Sequence, residues 1–178
     1  MKRQWMALVG VAAWLSAGYA LAQEPMELPK PGPEHELLKE LAGTWDCVVK
    51  PEGAPESKGT SVSQMLLGGL WLSTDFKGEF AGAPFEGKGL DTYDLDKKQY
   101  RSIWVDSFGT SPVLLLGDYD KATKTLTMTG TGPGMAGPDT KYKSVTIHPD
   151  KNHQTFKMYV VDGDKETLMM TIEYTRKK

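Results

Sequence analysis

From Thr44 to Arg176, apolar and polar residues alternate in short runs, and Gly, Pro, Asp and Asn break the runs at near-regular intervals. Alternation with a period of two marks a strand that buries one face. The pattern predicts strands near 44–50, 60–67, 70–80, 85–93, 99–107, 112–119, 124–131, 141–148, 154–161 and 166–176. Turn-forming residues separate them at Pro51 to Gly59, Gly68-Gly69, Gly82-Ala83-Pro84, Asp94 to Lys98, Gly109 to Ser111, Asp120 to Thr123, Gly132 to Pro138, Pro149 to Asn152 and Asp162-Gly163-Asp164. Ten strands joined by tight turns make an antiparallel meander. Closing such a sheet removes its edges and leaves room inside for a small ligand. The expected fold is therefore all-β, a single antiparallel meander barrel of about ten strands.

Ahead of the strands the period changes. Pro33 precedes Glu34 to Ala42, where acids occupy the first turn, leucines stand at 37, 38 and 41, and Gly43 follows as a stop. This predicts one amphipathic helix of about nine residues. A helix so short needs its apolar stripe packed against something, and one end of the barrel is the available partner.

Residues 1–22 read as a signal peptide: Lys2 and Arg3, an apolar stretch from Trp5 to Ala17, and Ala20-Leu21-Ala22 before a mature start at Gln23. The apolar stretch is shorter than the roughly 20 residues that span a bilayer. The expected organisation is residues 1–22 removed on export, a Pro-rich tether at 23–33, and one domain at 34–178, periplasmic or secreted, with no stable membrane insertion after cleavage.

The net charge of −2 for the whole chain becomes more negative when Lys2 and Arg3 leave, and no basic stripe precedes the Arg176-Lys177-Lys178 tail. A nucleic-acid partner is not expected. Cys47 is the single cysteine, so no intrachain disulfide forms. It shares a strand face with Trp45 and Val49 and reads as a small buried apolar residue, since no base accompanies it.

The chemistry with most promise lies on the fifth strand. Alternation places Tyr100, Ser102, Trp104 and Asp106 on one face and Arg101, Ile103 and Val105 on the other. If the first face looks inward, Trp104 supplies a stacking plane and Asp106 an acceptor or counter-charge. Asp91 and Tyr93, in phase on the preceding strand, add polar groups, and Thr110 sits beyond the strand end at the rim. The alternative is that Asp106 caps the turn at Ser107 to Gly109 and Trp104 is plain core. A weak echo also links Asp94, Asp120 and Asp150, each opening a Lys-containing turn.

Other signals fail on context. Gly132 to Gly137 spells G-x-G-x-x-G, but a strand pattern follows it where a phosphate-binding helix is needed, so it reads as a loop. Asp94-x-Asp96 lacks the Gly and acids of a calcium loop. His35, His148 and His153 do not have a metal-ligand spacing; His148 and His153 flank one turn without a third partner. No G-x-S-x-G nucleophile occurs. Met65, Met128, Met158, Met169 and Met170 read as adaptable core filler, not as copper ligands. No cofactor or metal is expected.

A helix ending in Gly43-Thr44-Trp45, a meander and a last strand ending in Arg176 resemble the calycins, the lipocalins and fatty-acid-binding proteins. More specifically, His35-Glu36-Leu37-Leu38, Gly89-Leu90-Asp91-Thr92-Tyr93-Asp94, the stretch Tyr100 to Thr110 and Ile172-Glu173-Tyr174-Thr175-Arg176 resemble the bacterial DUF1579 family. The resemblance implies a calycin-like barrel in which Arg176 packs on Trp45, an arrangement that cation–π attraction makes physically sensible. It implies no reaction, and a heme barrel of the nitrobindin type would carry a histidine that the closing strand lacks. Three functions stay open: binding of a small, partly apolar molecule in the barrel; a filled barrel serving as an envelope or interaction protein; and an enzyme using Asp106 and Asp91 as acid and base. Oligomeric state is not encoded legibly.

Overall fold

Each strand of a meander has one apolar face to hide and two edges to pair, and a closed cylinder satisfies both demands. The computed structural model describes residues 28–134 and 137–178; the signal peptide expected at 1–22 and the start of the tether lie outside these residues. The strands are β1 Gly43–Pro51, β2 Ser57–Leu66, β3 Trp71–Phe80, β4 Ala83–Asp94, β5 Gln99–Asp106, β6 Val113–Asp120, β7 Thr125–Gly134, β8 Gly137–Asp150, β9 His153–Asp162 and β10 Lys165–Arg176. Each pairs antiparallel with the next, and β1 pairs with β10 to close the barrel.

Most strand ends fall within a few residues of the positions read from alternation. The Gly-rich segment differs. Instead of a loop over 132–138, β7 runs on through Gly134 and β8 begins at Gly137, with a register irregularity between Gly132 and Gly134. The absence of a side chain at Gly134 leaves room for Thr140 and Tyr142, and the Tyr142 hydroxyl donates to the Pro133 carbonyl at 2.7 Å.

The helix, α1 His35–Leu41, is slightly shorter than expected, with Glu34 and Ala42 as its caps. Its C-terminal carbonyls are taken up by the closing strand. Arg176 donates from Nη1 to Ala42 O at 2.8 Å, from Nη2 to Glu40 O at 2.6 Å and from Nε to Lys151 O at 2.7 Å. Its guanidinium lies 4.1 Å from the centre of the Trp45 ring, and Trp45 Nε1 donates to Leu41 O at 3.0 Å. A cation at a helix C-terminus also complements the helix dipole. Gly43 is required here: its φ is +139°, and a side chain would overlap the guanidinium.

Leu38 carries the helix stripe into a buried cluster with Leu72, Tyr100, Leu115, Met128 and Tyr142. A second cluster joins Trp45, Cys47, Val49, Phe76 and Ile172. Burial pushes the Cys47 thiol up to about 12, so it stays protonated and unreactive.

Candidate functional site

The pleat decides which side chains meet inside. On β4 the inward positions include Gly87, Gly89 and Asp91; on β5 they include Tyr100, Ser102, Trp104 and Asp106, paired opposite them in the order Gly87–Asp106, Gly89–Trp104 and Asp91–Ser102. Together with the other strands they surround a cavity of about 630 Å³. Leu38 and Leu41 of α1 border it at one end. Phe80, Phe85, Phe108 and Pro133 border it at the other, where the β3–β4 and β5–β6 turns and the end of β7 gather. The walls are mainly apolar, with Met128, Met158, Met169 and Met170 among them.

Trp104 lies across the strand beside it. A side chain at Gly87 would overlap its ring, so Gly87 forms the slot that lets the indole lie flat. The indole Nε1 donates to Asp106 Oδ2 at 3.0 Å, while the Phe108 amide donates to Asp106 Oδ1 at 3.0 Å. Asp106 therefore borders the cavity and holds the turn after β5 at once, its two oxygens accepting from Trp104 and Phe108 separately.

Asp91 sits deeper. It faces the void, so its side chain is not packed over, yet the wall encloses it. Burial raises its pKa to about 6, with a hydrogen bond to Ser102 acting in the opposite direction. Nearby, Ser63 and Thr74 satisfy each other at 2.9 Å.

Two expected site residues stand elsewhere. Tyr93 does not border the cavity; its ring packs edge-on against Tyr100 at 5.0 Å and His35 at 6.2 Å, near α1, because β4 extends past the lumen into the helix-covered end. Thr110 is exposed in the turn, with Gly109 and Ser111 on either side bordering the cavity in its place. Met65 packs against the Leu38 cluster outside the lining.

Sequence reading missed the aromatic end. Phe85 meets Phe108 at 5.1 Å and Phe80 at 6.0 Å, both between ring centres, across two different turns. The signal was partly present, since Leu72, Thr74, Phe76 and Phe80 share the inward phase of β3. Among the described residues, no three His, Cys, Asp or Glu side chains are placed to hold a metal ion, and no helix is long and apolar enough to cross a membrane.

Residues 30–176 match the family described as "Protein of unknown function (DUF1579)", and the chain belongs to that family. No curated protein matches. Among solved structures, the fold resembles that of Rv2717c from M. tuberculosis, at 13% identity and a TM-score of 0.60, covering 83% of this chain and 99% of that one. A redesigned β-barrel, mFAP0, bound to DFHBI is 17% identical with a TM-score of 0.47, covering 77% of this chain and 99% of its own. The S-type phycobiliprotein lyase CPES from Guillardia theta is 8% identical with a TM-score of 0.48, covering 82% and 93%.

Proposed function

We propose that this DUF1579 barrel, once exported, holds a small, partly apolar molecule in its lumen. The observation that carries the reading is the cavity: about 630 Å³ lies within the roughly 300–1,000 Å³ range of small-molecule sites, and its walls are apolar with a few convergent polar groups. A barrel filled by side chains has no use for such a void. Trp104 offers a face for stacking, Asp106 an acceptor toward the aromatic end, and Asp91 an acceptor within.

The enzyme alternative has less behind it. Asp106 stands four residues along β5 from Ser102, the partner of Asp91, which is about 13 Å of strand rise. Carboxylates that act on one bond sit closer, within about 10 Å.

The reading is tested with a hydrophobic reporter dye titrated into the mature chain, alongside Thr146→Trp, which projects an indole into the lumen. Dye fluorescence should rise saturably with the native protein. The variant, still folded by circular dichroism, should bind at least about ten-fold more weakly. Equal binding by both proteins would place the dye outside the barrel. Export is tested separately, by intact-mass measurement of the protein from its host, with a chain beginning at Gln23 expected.

A further inference from the structure

The lumen has an uneven charge inventory. Asp91 and Asp106 border it, as does Glu79 at the aromatic end, whereas no Lys or His does among the described residues. The one basic residue adjoining it, Arg101, belongs to the outward phase of β5 and turns to Asp94 at 3.5 Å, with its side chain 41% exposed. Asp91 is thus an acid in an apolar chamber without a cationic partner. A carboxylate has about four lone-pair sites; Ser102 supplies a donor to Asp91.

The groups around Asp91 strengthen the bias. Leu72 of β3 stands beside it in the ladder, opposite Ser102. Across the lumen from β10, Tyr174 is close enough for its own ionisation to be opposed by Asp91, and Cys47 of β1 backs Tyr174 as a protonated thiol. None of these brings positive charge. A ligand carboxylate or phosphate entering here would meet like charge in a medium of low dielectric, whereas an ammonium would supply the missing counter-ion and its N–H donors. Trp104, which lies between Asp91 and Asp106 along the lumen, adds a π-face that attracts cations and flat rings.

We infer that the ligand is a cationic amphiphile: an apolar or aromatic body that fills the methionine- and phenylalanine-lined lumen, bearing one protonated amine that pairs with Asp91. This rests on the lumen being the binding site. The class excluded is as specific as the class accepted, because fatty acids and other anionic amphiphiles of the same length are turned away.

Binding of the amine requires the ionised carboxylate. Affinity should therefore rise with pH up to about 6, where Asp91 loses its proton, and then level off. Asp106, on the far side of Trp104, and Tyr142, whose ionisation it opposes, face a different part of the chamber.

The test compares three probes of one chain length, dodecylamine, dodecanol and dodecanoate, by calorimetric titration of the mature chain below their aggregation thresholds. At pH 7.5 the amine should bind at least about ten-fold tighter than dodecanoate, and Asp91→Asn should erase that advantage, with binding of dodecanol by the variant showing that its lumen is still open. For the native protein, amine affinity should fall about ten-fold at pH 5, one unit below the Asp91 midpoint. Dodecanol binding with no preference for the amine, or a preference that survives Asp91→Asn, overturns the inference and leaves the cavity reading standing. Failure of all three probes, together with a silent dye titration, overturns the cavity reading itself.

Discussion

At the scale of single residues, two buried groups titrate against each other. Asp91, raised to about 6 from 3.8, holds its proton more tightly folded than unfolded, so stability falls as pH rises from about 4 to 6. His148 behaves oppositely. Burial lowers it from 6.5 to about 4, its Nε2 has no hydrogen-bond partner, and stability is lost as pH falls through that window. Each shift corresponds to about 3 kcal/mol, less for Asp91 to the extent that water in the cavity screens it. The native protein should therefore show a shallow urea midpoint between pH 4 and 6.5. Asp91→Asn should be about 1–3 kcal/mol more stable at pH 7.5 and should become sharply acid-labile, because His148 then acts alone. An unchanged pH profile would mean that the Asp91 carboxyl is hydrated and ordinary. Asp106→Asn leaves one oxygen for two donors and should cost about 1 kcal/mol in thermal unfolding. The inward phase of Asp91, Trp104 and Asp106 was legible because β-alternation is strict. Depth along the barrel was not, since phase says nothing of where α1 ends the lumen, and Tyr93 was misplaced for that reason.

Among elements, the closure between α1, β1 and β10 concentrates the most energy in the fewest residues. Trp45 is 2% exposed, covered by Arg176 and bonded to the helix. Trp45→Ala should cost about 3–5 kcal/mol, measured by chemical denaturation. An unchanged midpoint would show that the helix is held by Leu38 and its cluster alone. The turns on the same end repeat one device. Asp94 accepts from the amides of Asp96 and Lys97, Asp120 from those of Ala122 and Thr123, and Asp150 from that of Asn152. These amides hold all three carboxyls below the usual range. A depressed folded pKa contributes stability above the unfolded value and loses it as pH falls through the folded one. Replacing all three by Ala should lower the melting temperature at pH 7, and the gap to the native protein should narrow in strong acid. Strands and turns were readable from sequence because their cause is local: alternation for the one, Asp, Gly and Pro for the other. The Gly132–Gly137 hairpin was not, because what extends it is the Tyr142 hydroxyl reaching Pro133 from the neighbouring strand.

For the whole molecule, the property that matters is a difference between two large volumes, the cylinder and the side chains inside it. No local pattern encodes that difference. Ten strands can be counted from turns, but whether ten strands enclose a void depends on how Met128, Met158, Met169, Met170 and the phenylalanines share the interior. A void of this size leaves wall atoms without partners on one side, and the barrel gives up the dispersion energy that a filled core would have. Whatever occupies the lumen restores those contacts in the native state alone, so occupancy and stability are linked. A ligand present at 100 times its dissociation constant adds about 2.7 kcal/mol. For a domain of this size, that should raise the melting temperature by about 5–10 °C. Protein stripped of ligand by partial unfolding and refolding should melt lower than protein taken directly from its host, and dodecylamine should restore the difference in proportion to the logarithm of its concentration. Identical melting for stripped, native and amine-saturated protein would mean that the lumen gains nothing from being filled, and that the void is a feature of the barrel's geometry with no part in what it binds.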